Sequence, residues 1–199
     1  MPRGQSMEID AAEADAGADD ELVEAARHDR RAFAPLYRHY VTPIYRFCYR
    51  RLGNREDAED ATSQVFTKAL AALDSYRAGS FRAWLFVIAG NVVKDRHRSR
   101  RLTGPFDVAF AVLDAGPTPE DSALAADDLR TLRALLNELS DDQRFVVELR
   151  LSGLTAQEVA EAMQRKRGAV DALQYRAVTR LRRLMEQRLA DEEDAHAAR

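Results

Sequence analysis

Apolar side chains in this chain recur at three- and four-residue steps in two separate blocks, and nowhere alternate residue by residue. That periodicity admits helices and leaves no room for a sheet. In the first block the stripe runs Leu22, Val23, Ala26, then Phe33, Leu36, Tyr37, Tyr40, Ile44, Phe47, Cys48 and Leu52. Pro43 predicts a break or kink in that second helix, and Gly53-Asn54 a stop. A third helix, from about Glu56 to Leu73, buries Ala58, Ala61, Val65, Phe66, Ala69, Leu70 and Leu73. Ser80 is placed to cap a fourth, which runs to about Arg100. It begins apolar (Phe81, Trp84, Leu85, Val87, Ile88) and ends basic. Gly104, Pro105, Gly116, Pro117 and Pro119 then punctuate a stretch with no helical stripe. Leu129, Leu132, Leu135, Leu136 and Leu139 open the second block. Within it Ser140-x-x-Gln143 and Thr155-x-x-Glu158 have the form of capping boxes, in which the hydroxyl and the amide or carboxylate satisfy free N–H groups at a helix start.

The spacings predict an all-α chain of two small helical domains, a four-helix domain and a helix-turn-helix domain, joined by a flexible linker. The expected boundaries are a disordered acidic extension over 1–20, a first domain over 21–101, a linker over 102–127, a second domain over 128–189 and a frayed acidic tail over 190–199.

Composition removes several classes of function. One cysteine, Cys48, makes no internal disulfide, and four scattered histidines lack the short spacings of a metal framework. No metal, cofactor or small-molecule substrate is expected. The longest apolar stretch, Ala83-Trp-Leu-Phe-Val-Ile-Ala-Gly, is far short of the ~20 residues a membrane span requires. The acidic N-terminus has no apolar block of the kind a signal peptide needs, so the expectation is a cytoplasmic chain with no membrane insertion. No phosphate loop or nucleophile–base pair is visible, so no enzyme is expected.

Charge is segregated. The net charge of −3 (30 Lys+Arg against 33 Asp+Glu) conceals eight acids against one Arg in residues 1–24. It also conceals five basic residues against one Asp in 94–101, and eight against two acids in 164–188. Local basic fields bind phosphates whatever the total charge.

The last of these fields lies on a helix-turn-helix pattern. A short helix to Met163, with Val159, Ala160 and Met163 inward, is followed by a turn over Gln164–Lys166. A long helix then buries Val170, Leu173, Ala177, Leu181 and Leu184. On a helical wheel Gly168, Ala172, Tyr175, Thr179 and Arg182 fall opposite that stripe, with Asp171 and Arg176 at its edges. A short helix, a tight turn and a second helix with an exposed polar face is the build of a major-groove reader. Gly168 and Ala172 permit close approach, Tyr175 and Arg176 reach bases, and Arg165, Lys166 and Arg167 neutralise phosphates. A solvated basic helix has the same pattern. Gln164 stands where Gly is usual and Lys166 where a Ser/Thr cap is usual, each departure costing ~1 kcal/mol.

Two sets of runs, taken together, resemble a known family. The first set is Phe33-Ala-Pro-Leu-Tyr, Gly53-Asn-Arg-Glu-Asp-Ala-Glu-Asp-Ala-Thr-Ser-Gln-Val-Phe and Ser80-Phe-Arg-Ala-Trp-Leu-Phe-Val-Ile-Ala-Gly-Asn-Val-Val-Lys-Asp. These resemble the first domain of bacterial RNA polymerase sigma factors of the extracytoplasmic-function group. Leu139-Ser-Asp-Asp-Gln-Arg-Phe-Val-Val-Glu-Leu-Arg and the runs from Gly153 and Gly168 are similar to their second domain. The resemblance takes in about residues 20–188, in the same order.

It implies a transcription initiation factor with core RNA polymerase, promoter DNA and an anti-sigma factor as partners. The acidic third helix, with Asp57, Glu59, Asp60, Gln64 and Phe66, matches the surface that docks on the polymerase. Tyr76 and Asn91 match a pocket for a base drawn out of the stack, Tyr76 as stacking ring and Asn91 as hydrogen-bonding partner. Lys94, Arg96, His97, Arg98, Arg100 and Arg101 match a contact with duplex phosphates. Trp84 reads as core, and Gly90 stands where the family often has a larger polar residue. The helix-turn-helix set of Arg165, Lys166, Arg167, Gly168, Asp171, Ala172, Tyr175, Arg176 and Thr179 matches the reader of the upstream element. The rival reading is a stand-alone helix-turn-helix regulator with an N-terminal sensor or dimerisation domain. A regulator binds its operator unaided, whereas a sigma factor needs the polymerase.

Overall fold

The computed structural model describes residues 17–77, 79–103 and 129–197. Among the described residues eight α-helices carry the fold and no strand occurs. They are α1 (17–28), α2 (Ala34–Leu52), α3 (Arg55–Ala71), α4 (Phe81–Thr103), α5 (129–137), α6 (Asp141–Leu151), α7 (Ala156–Met163) and α8 (Arg167–Ala197). Single-turn 3-10 helices at Arg30–Phe33 and Leu73–Ser75 lead into α2 and out of α3.

The helix ends follow local chemistry. Gly53 closes α2 in the left-handed conformation (φ 86°), and its N–H bonds the Tyr49 carbonyl. The Asn54 side chain then accepts from the Asp57 N–H at 2.8 Å and caps α3. Ser80 Oγ accepts from the Ala83 N–H at 3.0 Å at the head of α4. Both capping boxes form reciprocally, Ser140 with Gln143 on α6 and Thr155 with Glu158 on α7.

Four expectations about helix limits are corrected. α2 runs through Pro43 without a break. The ring removes one backbone bond, but Tyr40, Ile44 and Phe47 on either side are buried, and that packing holds the helix. Residues 17–20, assigned to a disordered extension, already form the first turn of α1. There Asp19 accepts a hydrogen bond from the Tyr40 hydroxyl, and Asp20 one from Tyr76. Residues 190–197 continue α8 instead of fraying, as their Ala- and Glu-rich composition favours. Residues 102–103, expected in the linker, continue α4, and residues 1–16 and the rest of that linker, 104–127, lie outside the described residues.

The two blocks pack directly on each other. A single core cluster joins Leu36, Tyr40, Phe47, Phe81 and Phe86 of the first to Val146, Leu149, Leu154, Val159 and Val170 of the second. A smaller cluster of Leu136, Leu139 and Ala177 fixes α5 against α8.

Candidate nucleic-acid interface

The turn between α7 and α8 sets the angle of the reading helix. Gln164 takes the left-handed conformation (φ 52°, ψ 42°), the only described non-glycine residue with positive φ. The Arg165 N–H bonds back to the Ala160 carbonyl at 3.0 Å. α8 buries Val170, Leu173 and Ala177 and half-buries Leu181 and Leu184, the face that the spacing predicts. On the far side Gly168, Ala172, Tyr175, Arg176 and Thr179 are exposed, Tyr175 at 75%. Nothing meets a Cβ built on Gly168, so the start of α8 is open to close approach. Two of the basic residues are paired in this arrangement. Arg165 bonds Asp142 at 2.5 Å, and Arg167 lies 3.5 Å from Asp171. Lys166 and Arg176 are exposed.

The acidic residues of α3 divide between two settings. Glu59 and Asp60 are more than half exposed, Glu59 paired with Arg55 at 2.6 Å. Asp57 is partly buried and bridges to Arg96 of α4 at 3.1 Å, while the other Arg96 nitrogen lies 3.5 Å from Asp60. Arg96 therefore ties α4 to α3 and is not a free phosphate ligand here. Gln64 is exposed, but Phe66 is 6% exposed, with its ring edge-on to Tyr37 and Phe33. Beside Phe66 an open groove of about 590 Å³ runs between α2 and α3, lined by Tyr37, Val41, Tyr45, Glu59 and Thr62 among others. Sequence reasoning missed Tyr37 and Tyr45 as groove walls. Both sit on the edge of the α2 stripe, where a helical wheel does not separate core from rim.

Tyr76 is not an open stacking ring in this arrangement. It is 4% exposed, tilted against Trp84 and edge-on to Phe81, and its hydroxyl is shared between the Asp20 carboxylate (2.8 Å) and the Gly79 carbonyl (2.7 Å). Burial first, and the bond to Asp20 second, push its phenol pKa up. Arg27 of α1 donates to the Tyr76 carbonyl at 2.6 Å, so α1 holds Tyr76 at both its hydroxyl and its backbone. Trp84 is half-buried against the core. Asn91, Lys94, His97 and Arg98 are exposed along α4, with Lys94 6.0 Å over the Phe145 ring. The side chains of Arg100 and Arg101 lie outside the described residues.

A second cluster went unread in the sequence. Glu148 of α6 is fully buried and takes Arg51 of α2 on one oxygen and Arg144 on the other (2.8 Å). The only hint is a carboxylate between Val146 and Leu149, in a run that is otherwise apolar. Burial pushes the Arg50 and Arg51 pKa values down, and the Glu148 charge opposes it.

Comparison with known proteins places both halves. Residues 36–103 match the model of Sigma-70 region 2, and residues 129–181 that of Sigma-70 region 4. The ECF RNA polymerase sigma factor BldN of Streptomyces coelicolor is 38% identical over 183 residues, covering 88% of this chain and 69% of BldN. The chain belongs to the ECF group of sigma-70 factors. It is a transcription initiation factor that directs RNA polymerase to promoters, not a stand-alone regulator. A second relative, the ECF sigma factor ShbA of Streptomyces griseus, is 34% identical over 82% of this chain and 92% of its own. Among solved structures, CnrH in complex with the cytosolic domain of CnrY matches with a TM-score of 0.67 at 26% identity. That match covers 85% of this chain and 98% of CnrH. Sigma factor RpoE of Bartonella quintana, in complex with the anti-sigma factor NepR, matches with a TM-score of 0.61 at 26% identity, over 77% of this chain and 96% of RpoE. Region 2 of this sigma factor thus takes in α2, α3 and α4, and region 4 takes in α5, α6, α7 and the first half of α8. Membership points to a binding factor and not an enzyme. No described helix of it is long and apolar enough to cross a membrane.

Proposed function

We propose that this sigma factor divides promoter recognition between α8 and α4, reading the upstream element as duplex with the first and holding the opened strand with the second. The observation that carries this reading is the polarity of α8. Its buried stripe of Val170, Leu173 and Ala177 fixes the helix, and Gly168, Ala172, Tyr175, Arg176 and Thr179 face away from the protein. Arg176 and Tyr175 reach base edges there, while Lys166, with Arg165 and Arg167 once they exchange their carboxylate partners, neutralises phosphates. On α4, Asn91 hydrogen-bonds an unstacked base, and Lys94, His97 and Arg98 follow the backbone. Tyr76 joins that site only after α1 has moved off it.

Glu59, Asp60 and Gln64 supply a steering and docking face for core RNA polymerase, and the α2–α3 groove beside Phe66 supplies its apolar part. The chain catalyses nothing itself and works in the cytoplasm, where the polymerase is. An anti-sigma factor as further partner is supported by the complexes of CnrH with CnrY and of RpoE with NepR.

The test separates the two steps. Arg176→Ala costs about 1–3 kcal/mol in recognition of one base position of the upstream duplex. Asn91→Ala leaves that binding intact and slows strand opening, read by permanganate footprinting. If Asn91→Ala opens the promoter normally, and Arg176→Ala blocks opening on a pre-melted template, the roles are wrongly divided.

A further inference from the structure

Residues 27–51 carry seven arginines, no lysine and a single acid, Asp29. Helix α2 itself, Ala34–Leu52, contains no acid. Four of the seven arginines serve the fold. Arg27 pairs with Glu24 and donates to the Tyr76 carbonyl, and Arg30 donates to the Leu70 carbonyl at 2.6 Å. Arg50 donates to Ser152 Oγ at 2.7 Å, and Arg51 meets Glu148. The other three, Arg31, Arg38 and Arg46, are exposed and make no ion pair among the described residues.

Those three form a row. Arg38 and Arg46 stand about 12 Å apart along α2, on the side opposite the buried Leu36, Tyr40, Ile44 and Phe47. Thr42 is exposed between them, and Tyr45 and Tyr49 lie on the same face, half-buried. The two tyrosine rings stack at 6.1 Å with 14° between their planes. Arg31, in the single turn that leads into α2, extends the row. A helix face that is only solvated commonly carries both signs, because like charges along it repel. This one carries a single sign. All three cations are arginine, whose planar fork holds a phosphate through two parallel bonds.

We propose that the outer face of α2 is a third nucleic-acid contact, which holds the phosphate backbone of single-stranded DNA without regard to sequence. Arg31, Arg38 and Arg46 neutralise phosphates, and the Thr42 hydroxyl donates to one. The Tyr45–Tyr49 pair gives an unpaired base a ring to lie against. A single strand is the ligand because the row is straight. A duplex backbone winds away from a straight row within a few phosphates and keeps its bases stacked inside, whereas a flexible strand follows the row and presents its bases to the tyrosines. Thr42 and Tyr45 also edge the α2–α3 groove, but the three arginines do not line it, so a protein seated in that groove leaves them open. The face belongs to neither α4 nor α8, and the proposal stands whether or not the division of labour between those helices holds.

The full chain is titrated with a short mixed-sequence single strand of DNA and, separately, with a duplex of the same length, over a range of salt concentrations. Arg31→Gln, Arg38→Gln and Arg46→Gln are combined, since glutamine is a good helix former and all three sites are exposed. In that variant the slope of log K against log salt for the single strand falls in magnitude by about 2, three contacts at ~0.7 each, with unchanged helical circular dichroism. The slope for the duplex does not change. A photo-crosslinking residue in place of Thr42, with every arginine retained, labels the single strand and decides the matter should the triple variant misfold. An unchanged single-strand slope with no crosslink overturns the proposal and leaves the row a solvated face. An equal fall in slope for the duplex overturns the assignment to a single strand. Weaker capture of core polymerase by the triple variant, with strand binding unchanged, also overturns it and gives the row to an acidic protein surface.

Discussion

The Tyr40 hydroxyl ties α1 to α2 through Asp19, and Tyr40→Phe removes that bond together with the hydroxyl's interaction with Arg82. Tyr40 is 2% exposed, and its ring packs against Phe81 at 5.6 Å, a contact that phenylalanine keeps. Asp19 is 6% exposed, so its carboxylate loses a donor in a place water does not freely reach. A hydrogen bond to a charged group contributes about 1.5–3 kcal/mol. α1 is held otherwise by Val23, Ala26, the Tyr76 hydroxyl's bond to Asp20 and the Arg27 bond to the Tyr76 carbonyl. The loss therefore appears first as local opening of α1 and not as global unfolding. Converted at about 1.4 kcal/mol per decade, amide exchange in residues 17–28 accelerates roughly ten- to hundredfold, with a far smaller change in the middle of α4. Adding Asp19→Asn to Tyr40→Phe recovers part of the loss, a coupling of about 1 kcal/mol in a double-mutant cycle. Exchange in 17–28 within about twofold of wild type would show that α1 does not depend on this bond.

Three further outcomes are expected. Gln164→Gly relieves a left-handed residue and raises stability by about 0.5–1 kcal/mol in thermal denaturation, and no gain would mean the turn is unstrained. Glu59→Lys with Asp60→Lys weakens binding to core polymerase in a pull-down with normal circular dichroism, since both are exposed; Asp57→Lys also lowers the melting temperature, because it breaks the bridge to Arg96. Burial pushes the Cys48 thiol from its ordinary 9.0 up to about 11. Its contribution to stability is complete below about pH 9 and is lost as pH rises through about 11, so Cys48→Ala flattens the alkaline limb of the unfolding curve.

Local chemistry was legible in the sequence, and long-range pairing was not. The two capping boxes and the Gly53-Asn54 stop are chemical signals within four residues of one another, and each forms as its spacing predicts. The burial of Val170, Leu173 and Ala177 is likewise legible, because one helical face repeats. Pro43 misleads because the penalty is local while the compensation, the burial of Tyr40, Ile44 and Phe47, is tertiary. Asp19 and Asp20 read as part of an acidic, unstructured run because their partners, Tyr40 and Tyr76, lie on other elements. Tyr76 carries an aromatic ring suited to stacking, but nothing in its neighbourhood of sequence says that α1 holds it. Gly90 stands out in the sequence as a departure from the family, and only its approach to Phe145 gives that departure a cause.

We propose that one chain reads a duplex element with α8 and delivers the polymerase to the start site. It is tested most directly by transcribing fragmented genomic DNA with core RNA polymerase, with and without this protein, and mapping the RNA 5′ ends. Start sites then appear only with the protein and share an upstream element at fixed spacing, with Arg176→Ala relaxing the base preference at one position of that element. Start sites with no shared upstream element, or an element read identically by Arg176→Ala, would contradict it.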